Sequence, residues 1–251
     1  MEDRIVDLLA SLIASFDPAT PHFRPAELYN EGWLVKLVLD QASSIEYDAH
    51  PLGFLPDSTW FSEALLPTAF KAQYRGDRLA ESRTHADGVV GHFMVGSTAR
   101  TDFELLPGAR QFTVVEAKMG SPLASGVIHA PYFDQAARSV ACMTEALAKG
   151  NLRPSTLERL DFVVLAPHSS IDRGTFSCEL QPGSIRSKVE KRVAAYDGSL
   201  KHWHAEYFEP TLARIRLLCL SWESAIEWIC EKKPEVEEQL VGFYDLCLEF
   251  V

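Results

Sequence analysis

Apolar positions change their spacing several times along the chain, and each change predicts an element. Ile5, Leu8, Leu9, Leu12 and Ile13 recur at helical spacing, which predicts a first amphipathic helix. Residues 25–40 repeat that spacing, with Leu34, Val35, Leu37 and Val38 as the apolar face and Pro25 suited to a first turn. Residues 49–67 are rich in proline and aromatics and show no readable period. Alternation over 85–95 predicts a strand, Pro107-Gly108 punctuates a hairpin connection over 96–110, and the apolar run 112–118 predicts a buried strand.

Small residues over 120–130 predict a loop, after which Pro131 opens a helix that Gly150 closes. Residues 160–166 predict another buried strand, stopped by Pro167. A helix over 185–196, a strand over 215–220, a helix capped by Ser221 and an acidic helix from Pro234 complete the order. Strands separated by helices imply the α/β class, with a mixed, partly parallel central sheet flanked by helices and added N- and C-terminal helices. No repeat or long linker interrupts the chain. Residues 1–251 therefore read as a single domain, with a core over 25–167 and a C-terminal strand and helical extension over 168–251.

Composition narrows the class. A hydrophobic fraction of 47% with 24% charged residues is globular rather than disordered. No apolar run is long enough to span a bilayer, and the N-terminus lacks the basic start and continuous apolar centre of a signal peptide. Five scattered cysteines without CxxC pairing argue against a zinc ribbon or a disulfide framework and for reduced thiols, hence a cytoplasmic protein. The net charge is −11, and the last thirty residues hold eight acids against Lys232 and Lys233. That acidic surface suits a protein partner or a second copy of the chain. It works against strong nonspecific binding to nucleic acid. Locally basic stretches at Lys71, Arg75, Arg78 and Arg83, and at Arg186, Lys188, Lys191 and Arg192, leave room for a basic groove.

The strongest chemical signal is Val115-Glu116-Ala117-Lys118. Side chains alternate along a strand, so Glu116 and Lys118 leave the same face at the end of an apolar run. Burying either charge alone is costly, so they need each other or a ligand. Upstream, Asp87-Gly88 stands at the start of the alternating segment, and the hairpin connection brings Asp87 beside Glu116. Two carboxylates with a backbone carbonyl suit a hard cation such as Mg²⁺ or Mn²⁺. Glu31 shares a helical face with Leu34, Val35 and Val38, an acid on a buried stripe. The bland alternatives are a Glu116–Lys118 salt bridge, a turn at Asp87-Gly88 and a structurally bonded Glu31.

Glu31 on a first helix, Asp87 at a strand start, Glu116-x-Lys118 on the next strand and a following helix resemble the PD-(D/E)xK, or restriction-endonuclease-like, nuclease superfamily. That resemblance covers residues 25–167 and implies a core of helix, three antiparallel strands, helix and strand. Gln135 falls where RecB-type members carry a glutamine. Ser139 departs from their following tyrosine, and Ala86 departs from the proline before the aspartate. The resemblance implies metal-assisted phosphodiester hydrolysis of nucleic acid, with DNA as substrate. Asp87, Glu116, the Ala117 carbonyl and Glu31 would hold the metal, Lys118 would orient the attacking water, and Gln135 would position Lys118, the water or the phosphate. Arg75, Arg78 and Arg138 are candidate phosphate contacts, with a solvated surface role as the alternative. The competing reading is an inactive module of the same fold that assembles with other proteins.

Other signals are weaker. His202-Trp203-His204 sets two imidazoles on one face if extended, but no third zinc ligand is evident nearby. His85 and His92 flank Asp87 and read as ordinary polar strand residues. Trp60, Phe61 and Phe70 could stack on bases, although core or lid packing is commoner. Trp203, Trp222 and Trp228 read as core. No P-loop, GxSxG or HExxH motif occurs.

Overall fold

The computed structural model describes residues 11–13, 15–17, 19, 22–77, 79–81, 84–96, 103–126 and 130–250. Ile5, Leu8 and Leu9 of the expected first helix lie outside the described residues, and Leu12 and Ile13 are exposed.

The helix expected over 25–40 is divided. One turn at Pro25–Leu28 is followed by α1 (Glu31–Ser43), because Asn30 takes extended backbone and its side chain accepts the Trp33 N–H at 3.1 Å. The unassigned region contains β1 (Thr59–Leu66). It lies at the sheet edge and is only half-buried, so its sequence lacks a clean alternation. The strand expected over 85–95 is two elements, β2 (Thr84–Gly91) and β3 (Phe93–Val95). The break is at Gly91, which has φ 149°, and a Cβ there would lie 2.1 Å from the Gln111 carbonyl oxygen. β3 pairs with β4 (Phe103–Leu105) as a separate two-stranded sheet.

β5 (Gln111–Ala117) leads through a loop into α2 (Gln135–Lys149), which starts four residues later than Pro131 suggests because Asp134 caps it. β6 (Arg159–Ala166), α3 (Pro182–Ala194), β7 (Arg216–Ser221), α4 (Trp222–Lys232) and α5 (Glu237–Glu249) follow. The main sheet has the order β1-β2-β5-β6-β7. Its first three strands run antiparallel, and β5, β6 and β7 run parallel. The molecule is thus α/β, with a five-stranded mixed sheet flanked by helices.

β5 and β6 are buried at every position, as expected of strands covered on both faces. On one face, α2, the turn before it and α3 pack Phe133, Val140, Met143 and Val189 with Phe112, Val114 and Phe162. On the other, α1, α4 and α5 pack Val35, Leu39, Trp222, Ile226 and Tyr244 with Val115, Val163 and Leu165. Each such large apolar side chain contributes about 1.5–3 kcal/mol. Gly88 lets α1 approach closely, since Leu39 Cδ1 lies 2.6 Å from where its Cβ would be. At the opposite end of the parallel strands, Asp161 is fully buried and accepts two 2.6 Å hydrogen bonds from Arg216, while Arg159 reaches the Gly53 carbonyl at 2.5 Å. Gln111 also binds the Gly53 carbonyl and accepts the Leu55 N–H, which fixes the chain entering β1.

All five cysteines are free thiols. Among the described residues, no helix is long and apolar enough to cross a membrane.

Candidate active site

β5 has an antiparallel neighbour on one side and a parallel one on the other. Its C-terminal end therefore meets the start of β2, while α2 begins above it on the crossover to β6. Three elements deliver polar side chains to one place.

Glu116 is 0% exposed. Its Oε1 accepts from Lys118 Nζ at 2.6 Å and also from Gln135 Nε2. Gln135 is itself aimed, because its Oε1 accepts the Ala124 N–H at 3.0 Å. Lys118 is nearly buried, and its backbone is pinned twice: its N–H donates to the Leu165 carbonyl and its carbonyl accepts the Trp222 indole N–H at 2.9 Å. Asp87 Oδ2 accepts the Ala117 N–H at 2.8 Å, so a side chain from β2 stands where a backbone carbonyl would otherwise pair. In an antiparallel ladder one residue's N–H and C=O serve the same neighbour, so the Ala117 carbonyl also faces the β2 side.

Burial pushes the Glu116 carboxyl up to about 8, the Asp87 charge adds to the rise, and Lys118 opposes it. The second oxygen, Oε2, is buried and receives no hydrogen bond from a donor, while the Asp87 carboxylate lies within hydrogen-bonding reach of Glu116 and helps raise it. An orphaned carboxylate oxygen beside a second carboxylate is a donor set for a hard cation, and such a cation would favour the ionised form of Glu116. Asp87, Glu116 and the Ala117 carbonyl are the groups that fit a divalent ion.

The structure brings together Asp87, Glu116, Ala117, Lys118 and Gln135. Among the described residues, Glu31 makes no hydrogen bond or ion pair with any of them. It opens α1 on the opposite face of the sheet, where its charge acts on the Cys247 thiol of α5. Arg75 is exposed, and Arg78 lies outside the described residues. Arg138 sits one turn beyond Gln135 with a buried, unpartnered Nε, and its charge and that of Arg192 act against the burial that raises the Glu81 carboxyl. His85 pairs with Glu63 at 3.8 Å, and His92 bonds the Pro56 carbonyl at 3.0 Å. Trp203, Trp222, Trp228 and Phe70 are buried, whereas Phe61 is 37% exposed.

No protein-family model matches the chain, and no curated protein or solved structure matches it.

Sequence reasoning missed three contributors. Asp134 caps α2 through the Ala137 N–H and is held by Lys188 at 2.5 Å, so it fixes the turn that presents Gln135. An aspartate directly before Gln135 is a helix-cap signal, masked by the more conspicuous Pro131. Lys188 carried no local signal for this pairing. Trp222 reads as core and is core, but its indole N–H also holds Lys118 from 104 residues away.

Proposed function

We propose that the chain is a divalent-metal-dependent nuclease with a restriction-endonuclease-like core, hydrolysing phosphodiester bonds in DNA. The observation that carries this reading is the buried, unpartnered Glu116 Oε2 beside Asp87, with Lys118 on the other Glu116 oxygen. The order α1, β1, β2, β5, α2, β6 supports it, because the superfamily resemblance implies a helix, three antiparallel strands, a helix and a strand.

A bound Mg²⁺ or Mn²⁺ supplies Lewis-acid charge and lowers the pKa of a water. The protein's own groups do the remaining work. Asp87 is fixed by the Ala117 amide and offers its carboxylate without reorganisation. Lys118 brings a positive charge next to the same carboxylates, where it can orient a water and offset negative charge that grows on a phosphate. Gln135 keeps the Glu116 rotamer turned into the site. Buried surroundings strengthen each of these interactions.

The test is incubation with linear, circular and single-stranded DNA and with RNA, with and without Mg²⁺ or Mn²⁺, beside Lys118→Ala. Cation-dependent cleavage lost in the variant supports the assignment; absence of cleavage on every substrate rejects it. One feature favours the assembly reading: the groove between α4 and α5 combines Glu227, Glu231, Glu237 and Asp245 with the apolar Ile226 and Val241. Tight capture of a protein partner by a cleavage-inactive chain would select that alternative.

A further inference from the structure

We propose that Glu190, His204 and Glu209 form a second metal site, distinct from the Asp87–Glu116 pair and suited to Zn²⁺. The extended geometry that would set His202 and His204 on one face does not occur. Helix extends over 201–214 and turns the two imidazoles apart. His202 is exposed and lines a cavity of about 340 Å³ with Arg153, Tyr207 and Arg214. His204 instead meets two carboxylates, one of them from another element. One ligand atom each from Glu190, His204 and Glu209 lies within 4.8 Å of the others.

The backbone explains the convergence. Residues His204–Phe208 form a π-type turn in which the Glu209 N–H bonds the His204 carbonyl. In a regular α-helix, residues five apart point about 140° from each other. The wider turn brings His204 and Glu209 onto one side, and His204 Nε2 stands 3.5 Å from Glu209 Oε1. Two ligands bonded to one zinc at about 2.0–2.1 Å in tetrahedral geometry stand roughly 3.4 Å apart. Such turns often mark functional positions.

A second observation points to a ligand. His204 Nε2 is buried and makes no hydrogen bond, and its side chain is 19% exposed. Phe208 packs on the imidazole, with ring centroids 5.1 Å apart. Arg186 donates from Nε to both Glu209 oxygens, at 3.2 and 3.1 Å, which fixes that carboxylate as an outer partner does around a metal ligand. Glu190 is exposed on α3 and closes the set from outside. One imidazole with two carboxylates and an open fourth position suits Zn²⁺ better than Mg²⁺, which prefers an all-oxygen shell. The ion would tie α3 to the helix that follows it.

The proposal is independent of the nuclease reading, and the test keeps the two apart. The Asp87→Asn/Glu116→Gln double variant removes the first pair. Zn²⁺ binding is measured by calorimetry and thermal shift, and Co²⁺ substitution is read by visible absorption. The double variant is expected to bind one Zn²⁺ with a rise in Tm, and Co²⁺ to give tetrahedral bands. Adding His204→Ala abolishes both signals, and adding the surface change Glu190→Gln weakens affinity by at least about 10-fold. Absence of Zn²⁺ binding in the double variant, or binding unchanged by both further substitutions, overturns the proposal.

Discussion

The Asp87 carboxylate takes the Ala117 amide for itself, 2.8 Å away, and thereby sets a β2 side chain against the residue between Glu116 and Lys118. The join is made by a side chain instead of a ladder bond because paired residues between β2 and β5 stop at Gly88 and Val115. Beyond that point the Asp87 side chain, rather than a backbone carbonyl, meets β5.

Lys118→Ala is expected to keep the fold and lower cleavage by about 10²–10³-fold, the usual cost of removing one group that stabilises developing charge. Cleavage rates at saturating Mg²⁺, with circular dichroism as the folding control, check this. A variant within threefold of the parent rate contradicts the assigned role.

Metal binding is expected to depend on pH. The Glu116 carboxyl is raised from 4.5 to about 8, so the fold favours its protonated form. The stability this contributes is fully present below 4.5 and is lost as pH rises through about 8. A cation favours the ionised form and offsets that loss. The stabilisation given by Mg²⁺ or Mn²⁺ should therefore grow between pH 5 and 8 with proton release on binding, measured by calorimetry in buffers of different ionisation enthalpy. Glu116→Gln should abolish the proton release. Cation affinity that is flat across this range would refute the linkage.

Trp222→Phe removes the indole N–H that holds the Lys118 carbonyl. Leaving a buried carbonyl unpaired costs about 1–3 kcal/mol. Urea denaturation should show that loss, with a lower cleavage rate in the folded variant because the Lys118 backbone is freed. Equal rates in both proteins would make Trp222 a packing residue alone.

Asp161→Ala leaves Arg159 nearly buried without its carboxylate. Breaking such a pair is expected to cost about 3–5 kcal/mol. The network lies at the opposite end of the strands from Glu116, so divalent-cation affinity at a temperature where the variant is folded should stay unchanged. A shifted affinity would reveal coupling along the sheet.

The sequence exposes those parts of the molecule whose signals are local. Phe112, Val114 and Val115, and the run Phe162 to Leu165, are apolar on both faces because both faces of β5 and β6 are covered, and both strands are readable. β1 was not, since an edge strand with a positive φ at Glu63 need not alternate. Glu116 and Lys118 were legible through two-residue spacing, and Asp87 and Gln135 through their order along the chain. Glu31 stands apart from these four, since helical spacing shows that an acid borders a buried stripe without showing which face of the sheet the helix covers. The convergence at His204 could not be foreseen, because it needs a π-type turn that inserts a residue into the helical register.

Trp222 belongs to the segment after residue 167, yet its ring lies in the apolar layer beneath Val163 and Leu165 and its nitrogen grips Lys118. A shortened gene product ending after β6 would lose that anchor and strip one side of its two central strands. It would be a sticky fragment with a loosened lysine, so the chain does not divide cleanly at that boundary.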